Sequence, residues 1–399
     1  MGVPAGFGPG VVEMAKSSSP NPAASAVLTV TRPLRPESGI APARMVREVK
    51  PYQAVSSLEA ILSRPDQVPL KLDWNESTVP PSPKVLEAIQ AFLGNAHHLN
   101  WYPVLNSTNL IERLEKHLGL SGDQLLITNG SDDALDTICT TYLDPDDVVL
   151  VPSPTYTHFL VFAQTRGAQI QALHGPDPFA SCIDLLVQTA QRVRPRLLYL
   201  VNPNNPTGVL YTREEVATLL AACPETLVIV DEAYSEFAGC SCIDLLHTYP
   251  NLVITRTFSK AYGIAGLRIG YAMAAPGVIM DLRRVFNPKS VNVLAQIGAM
   301  AALEDQSYLR WYLGEVEASK RLLQPFFAAR GLPFKLTPAN YFLVQFDQAP
   351  WVVKRLQEEG VYVRDRSGMN QLAGWVRFSL GTEEQTRDLL DRIDRVLEV

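Results

Sequence analysis

The chain has 399 residues, room for about two domains at the usual roughly 100–200 residues each, and its 47% hydrophobic and 19% charged content is ordinary for a globular protein. Its 35 Lys and Arg against 41 Asp and Glu leave a formal charge of -6 with no basic stripe, which excludes a nucleic-acid partner from expectation. No run approaches the roughly 20 apolar residues of a membrane span, so no membrane partner is expected either.

Residues 1–47 are rich in Gly, Pro, Ser and Ala, with apolar residues in no helical or strand period, and read as a flexible extension. Arg32, Arg35, Arg44 and Arg47 hint at a transit segment, but Glu13, Glu37 and Glu48 interrupt the pattern. From about residue 102 onward, helical stretches alternate with short apolar runs at 125–128, 148–151, 197–201, 227–230, 251–255 and 268–272. Such runs, apolar on both faces, predict the strands of a mostly parallel sheet buried between helices. Beyond residue 290 the character changes: one long helical stretch over 294–327, then strand-like runs at 341–346, 361–364 and 375–380. A last helix starts at Thr382, where Gln385 completes a capping box and Leu389, Leu390, Ile393 and Leu397 form one apolar stripe. This tail reads as a separate, smaller α+β domain.

The five cysteines, Cys139, Cys182, Cys223, Cys240 and Cys242, give neither paired CxxC elements nor a Cys/His ligand set. Buried or semi-buried thiols in a reducing, cytoplasmic setting are expected, and no metal site.

In an α/β sheet ligands collect beyond the carboxyl ends of the strands, and four such ends carry polar clusters. At Asn129, Gly130, Ser131, Asp132 and Asp133 a glycine turn opens a helix, whose first backbone N–H groups either cradle a phosphate or are simply capped. Asn202 to Gly208 hold two of their prolines and three asparagines in one loop, more amides than a turn requires. Asp231 ends a buried run ahead of Glu232, Ala233 and Tyr234, where a carboxylate needs a cation or donors. A protonated ring nitrogen, a metal or a structural salt bridge would each satisfy it. Last, Lys260 lies in a glycine-punctuated loop with Thr257 and Ser259 before it and Arg268 after it. A desolvated lysine is a nucleophile toward aldehydes, and the hydroxyls and guanidinium suit a phosphate.

Taken in this order, NPNNPTG, DEAY and SKAYGIAGLRIGY resemble the fold-type I pyridoxal-phosphate aminotransferases, most nearly the histidinol-phosphate aminotransferase group, over residues 71–399. The resemblance implies pyridoxal 5'-phosphate bound as a Schiff base to Lys260, which also shuttles the proton during transfer. It implies Asp231 on the pyridine nitrogen, Asn205 and Tyr234 on the phenolic oxygen, and Tyr156 stacked on the ring. The phosphate would meet Gly130, Ser131, Asp132, Thr257, Ser259 and Arg268, with Tyr102 arriving from the neighbouring subunit of a homodimer that shares its active sites. Asn75 and Glu76 would lie over the substrate, and Arg364 and Arg377, on successive strands, would bind its phosphate or carboxylate. The implied organisation is an extension (1–47), an arm with the substrate-covering segment (48–100), a large cofactor-binding domain (101–290) and a small C-terminal domain (291–399). The implied reaction moves an amino group from an amino acid or histidinol phosphate-like amine to a 2-oxo acid.

One departure bears on the substrate. Asn75 and Glu76 are followed by Ser77 and Thr78, where the group continues with Asn-Pro. The same scaffold also supports a lyase, decarboxylase or cyclase of specialised amino-acid metabolism, because the bond that breaks depends on orientation against the ring. A nicotinamide-dependent oxidoreductase is excluded by the first βα turn, which lacks the glycine fingerprint.

Overall fold

Short runs that are apolar at every position bury both faces, and here they assemble into one seven-stranded sheet. The computed structural model describes residues 40–47, 49, 56, 61, 68–94 and 96–398. The chain divides by contact into Met1–Ala43 and Arg44–Val399, and everything below concerns the second unit. Most of the expected extension, residues 1–39, lies outside the described residues.

A two-residue strand β1 (Leu70–Lys71) precedes the main body. The large sheet then contains β2 (Leu125–Thr128), β3 (Val148–Ser153), β4 (Gln169–His174), β5 (Leu197–Val201), β6 (Leu227–Asp231), β7 (Leu252–Thr257) and β8 (Gly270–Ala274), in the order β2-β8-β7-β6-β5-β3-β4. Strands β4, β3, β5, β6 and β7 run parallel, and β8 joins antiparallel to both β7 and β2. All five residues of β5 are buried, and a fully buried Leu or Val contributes about 1.5–3 kcal/mol. Strand β4, with its partly exposed and polar QIQALH, was not anticipated, because an edge strand lacks the two-sided apolar signature. Strand β8 starts two residues later than expected because Arg268 adopts a left-handed backbone (φ 55°), which no strand continues through.

The helical stretch expected over 294–327 is two helices, Val293–Glu304 and Gln306–Ala329, broken at Asp305. The Asp305 carboxylate accepts from the Ser307 hydroxyl at 2.7 Å and the Tyr308 amide at 3.3 Å, so it caps the second helix as it ends the first. Helix Val293–Glu304 packs on Pro83–Leu93 and Thr108–Leu118, on the large-sheet side.

A second sheet is fully antiparallel, with β9 (Phe334–Leu336), β10 (Tyr341–Gln345), β12 (Arg364–Asp365) and β13 (Trp375–Ser379) in the order β12-β13-β10-β9. The run expected as one strand over 361–364 splits at Val363: β11 (Val361–Tyr362) pairs parallel with β1 instead. The chain thus leaves residues 70–71 anchored beside this sheet, and the segment after them is held by it as well. The Ser379 amide donates to the Leu72 carbonyl at 2.9 Å, and the Asn340 amide to the Asn75 carbonyl at 3.2 Å. The final helix, Glu383–Leu397, starts on the expected Thr382/Gln385 capping box, buries Leu389, Leu390 and Ile393, and packs on the helices Gln306–Ala329 and Ala349–Glu358.

Candidate active site

Parallel strands present their carboxyl ends along one edge, and the loops that follow β2, β3, β5, β6 and β7 meet there around a cavity of about 560 Å³. The small sheet closes the opposite wall with Arg364 and Arg377.

Asp231, the last residue of β6, points its carboxylate into this space while remaining buried. Tyr199 of β5 donates to Oδ2 at 2.8 Å and the Ala233 amide to Oδ1 at 3.2 Å, both neutral donors. Burial dominates and pushes the acid up to about 6, the Tyr199 bond opposing it. Tyr199 itself is stacked on Phe159 at 3.8 Å between centroids, which fixes its ring.

Beside it, the Tyr234 hydroxyl oxygen accepts from Asn75 Nδ2 at 3.1 Å and Asn205 Nδ2 at 3.2 Å. With both lone pairs taken, the phenol's own proton is left to donate into the cavity. Burial pushes its pKa above the usual phenol value, and the Arg377 charge opposes that rise. Asn205 is oriented in turn by Arg377, whose Nη1 donates to Asn205 Oδ1 at 2.6 Å, and Arg377 Nη2 donates to the Asp73 carbonyl.

Lys260 lines the same cavity, with Nζ 2.7 Å from the Trp74 carbonyl. Desolvation, followed by the neighbouring positive charge of Arg377, lowers its ammonium to about 8, so about a tenth is free amine at pH 7.

At the far end, oxyanion donors converge. The helix Ser131–Tyr142 starts on Gly130 at φ 87°, and a Cβ there would lie 2.6 Å from the Arg268 guanidinium. A Cβ on Gly270 would lie 2.6 Å from the Ser131 amide nitrogen. Glycine at both positions lets helix terminus, strand and guanidinium approach one another. Thr257 donates to Ser259 Oγ at 3.0 Å, Arg268 Nη1 reaches Ser259 Oγ at 3.4 Å, and Arg268 lies 3.6 Å from Asp132. The Tyr156 hydroxyl donates to Asp132 Oδ1 at 2.9 Å, setting its ring along the wall between Asp132 and Asp231.

Three of the residues named from sequence, Asn75, Tyr102 and Gly130, lie apart from the cavity wall. Asn75 is wholly buried at φ 55°, its amide donating to Ser379 Oγ at 2.9 Å, so it touches the site only through Tyr234. Tyr102 is 80% exposed, with Lys289 Nζ 4.8 Å from its ring centroid. Glu76 does line the cavity and is paired with Lys71. Gly130 sits behind Arg268 as described. The structure adds Trp74, His158, Tyr199 and Arg366, which the sequence reading missed. Tyr199 was hidden in an all-apolar strand, whereas Arg366 stands two residues beyond Arg364 and the alternation of a strand would have revealed it.

The family model for aminotransferase class I and II matches residues 68–393. The chain belongs to the class I and II aminotransferases. This aminotransferase is 37% identical over 329 residues to a dihydroxyacetone phosphate transaminase of Campylobacter jejuni, covering 81% of this chain and 89% of the relative. It is 32% identical over 330 residues to a histidinol-phosphate aminotransferase of Ruminiclostridium cellulolyticum, covering 81% and 91%. Among solved structures, the histidinol-phosphate aminotransferase of Sinorhizobium meliloti in complex with pyridoxal-5'-phosphate superposes with a TM-score of 0.82 at 27% identity, over 90% of this chain and 99% of that one. The enzyme is therefore a fold-type I, pyridoxal-phosphate-dependent aminotransferase.

The cavity's own chemistry fits that cofactor. A buried carboxylate held only by neutral donors suits a protonated ring nitrogen, an unspent phenolic proton suits a phenolate oxygen, and the cluster at the helix terminus suits a phosphate. The five cysteines are all free thiols; Cys139, Cys223 and Cys242 are buried, Cys182 is half-buried, and Cys240 is exposed. No helix among the described residues is long and apolar enough to cross a membrane.

Proposed function

We propose that this aminotransferase moves the amino group of an amine carrying a distal anion, of the histidinol phosphate kind, to a 2-oxo acid, with Lys260 as the cofactor's point of attachment. The observation that carries the substrate reading is the register of the small sheet: Arg364 lies directly opposite Arg377 on neighbouring strands, and both face the cavity that holds Lys260. Paired guanidiniums at that spacing recognise a phosphate or carboxylate bidentately.

Asp231 would hold the cofactor's ring nitrogen protonated, Tyr234 and Asn205 its phenolic oxygen, and Tyr156 its ring face. Ser131 and Asp132 through their backbone, Thr257, Ser259 and Arg268 would hold its phosphate, with Tyr102 of a second copy completing that end. Bound there, pyridoxal phosphate supplies an aldehyde that accepts amines and a ring that takes up the electron pair released at the adjoining carbon. Lys260 Nζ would move the proton at the carbon that bears the substrate amine, and its ammonium value of about 8 suits a general base near neutral pH. Arg377 and Arg364 hold the substrate's anion, and Glu76 and Trp74 on segment 72–77 cover it.

The 80% exposure of Tyr102, beside exposed Trp101, Val104 and Leu105, supports a homodimer in which this surface is covered. Residues 48–100 would serve as arm and cover, 101–290 as the cofactor-binding body, which also carries helix Val293–Glu304, and the remainder up to 399 as the substrate-gripping body. Free thiols support a reducing, cytoplasmic setting.

A spectral titration of the cofactor-loaded enzyme tests this reading. Histidinol phosphate, and not acidic or aromatic amino acids of the same panel, should convert the aldehyde form of the cofactor to its amine form, and a 2-oxo acid should reverse it. Conversion by the amino acids alone would sink the proposed substrate.

A further inference from the structure

Two buried charges lie behind the cavity, outside the site described above. Glu232 follows Asp231 and Arg256 precedes Thr257. Asp231 and Thr257 line the cavity, so the alternation along their strands turns Glu232 and Arg256 to the other face of the sheet. There Arg256 Nε and Nη2 donate to Glu232 Oε2 at 3.0 and 2.8 Å, and Nη2 donates to Ser241 Oγ at 2.7 Å. Glu232 Oε1 accepts from the Cys242 amide at 2.6 Å, and the Ser241 hydroxyl lies 3.1 and 2.8 Å from the two carboxylate oxygens. Both charges are thus paired and hydrogen-bonded.

The pair sits where two strands part. Strands β6 and β7 are in register from Val228 and Leu252 to Asp231 and Thr255, and the Glu232 amide adds one more bond to the Thr255 carbonyl at 2.9 Å. From there one chain turns into the short helix Ser235–Ala238, while the other runs on against β8 to Thr257. The parting separates the residues that suit the two ends of the cofactor: Asp231 and Tyr234 on one chain, Thr257 and Ser259 on the other. A rigid ligand held at its ring by one chain and at its phosphate by the other needs the two at a fixed spacing. Stability alone is a poor reason for such a pair, because apolar residues of similar size often do as well as a buried ion pair.

We infer that Glu232 and Arg256 are positioning residues, whose ion pair holds the ring-nitrogen anchor Asp231 and the phosphate anchor Thr257 at the spacing that pyridoxal phosphate requires. This rests on the cofactor-site reading above. The pair acts through its two chain neighbours and touches neither cofactor nor substrate.

The test uses the full chain freed of cofactor and three ligands that form no covalent bond to Lys260. Pyridoxamine 5'-phosphate spans both anchors, pyridoxamine meets only the first, and inorganic phosphate meets only the second. Calorimetry gives the affinity of the first, and competition against it gives those of the two fragments. Glu232→Gln/Arg256→Met removes both charges while keeping an oxygen for the Cys242 amide and a proton for Ser241 Oγ. Neighbouring Glu236, which burial pushes up to about 6 against the Arg256 charge, then takes up a proton rather than stand as a lone charge. In this variant pyridoxamine 5'-phosphate should weaken by about 10-fold or more, because two linked contacts lose their joint geometry. Each fragment should change by less than about threefold, its own anchor being untouched. Arg256→Lys keeps the charge and loses the fork, so it should show the same pattern with a smaller loss, and it decides if the double variant does not fold. Equal losses for all three ligands would mark a general loosening of structure and overturn the inference, as would an undiminished affinity for pyridoxamine 5'-phosphate. Asp231→Asn against pyridoxamine and Thr257→Ala against phosphate check the anchors themselves. A fragment indifferent to its anchor's replacement sinks the cofactor-site reading, whereas responsive anchors with equal losses in the pair variants sink the role of the pair alone.

Discussion

Asp231→Asn separates what the buried carboxylate does for the cofactor from what it does to the fold. In the cofactor-free protein, burial raises this acid from 3.8 to about 6. At about 1.4 kcal/mol per unit, ionising it in the folded chain costs roughly 3 kcal/mol. The sign follows from proton binding. The folded state holds the proton more tightly than the unfolded one, so this contribution to stability falls as pH rises from about 4 to about 6 and stays low above that. Asparagine never ionises and removes this pH dependence. It keeps an oxygen for the Tyr199 hydroxyl, but its Nδ2 then faces the Ala233 amide, a donor against a donor, at a cost of about 1 kcal/mol or more. Urea unfolding of cofactor-free wild type and variant should show the variant gaining roughly 3 kcal/mol relative to wild type between about pH 4 and about pH 8, with a net advantage of about 1–2 kcal/mol at the upper end. Adding pyridoxal phosphate should reverse the order, since only the wild type offers a carboxylate to the ring nitrogen. Parallel stability curves for the two proteins across that pH range would refute the argument that burial, and not the hydrogen bonds, governs Asp231.

Lys260→Ala should prevent any covalent retention of cofactor after borohydride reduction, checked by peptide mapping; label on another lysine removes Lys260 from the role. In the wild type, the rate at which cofactor-free enzyme captures pyridoxal phosphate should rise with pH to a plateau centred near about 8, where the free amine of Lys260 becomes dominant, and a midpoint near 10.5 would show an unperturbed lysine. Arg377→Ala should weaken substrate far more than cofactor, by about 10-fold or more in KM, although Asn205 also loses its orienting bond; equal losses in the two titrations would move Arg377 out of the substrate site. Gly208→Ala places a Cβ 2.4 Å from Thr337 Cγ2 at φ 76° and should destabilise by about 2 kcal/mol or more, with a change under about 0.5 kcal/mol in urea unfolding counting against the packing.

Local sequence carried far in this protein because strand ends coincide with site residues. Two-sided apolar runs identify β5 and β6, and each is followed directly by the polar loop that enters the cavity, so Asn205, Asp231 and Tyr234 could be named without coordinates. The left-handed backbone at Arg268, which ends the short helical turn Ala265–Leu267, was illegible, and with it the true start of β8, because left-handed caps favour glycine and an arginine there carries no such signal. The edge strand β4 was missed for the opposite reason: with little burial there is little pattern.

The sequence by itself determined the alternation of helix and buried strand, the order of the polar clusters and the chemistry each can perform, since these depend on neighbours within a few residues. Tertiary structure alone decided which cluster meets which. Asn75 reaches Tyr234 across 159 residues of chain, Arg377 reaches Asn205 across 172, and Tyr199 reaches Asp231 only because β5 and β6 lie side by side. Those contacts depend on register and sheet order, which arise from packing over the whole chain, and the burial that this packing imposes is what shifts Asp231 and Lys260 toward neutral pH.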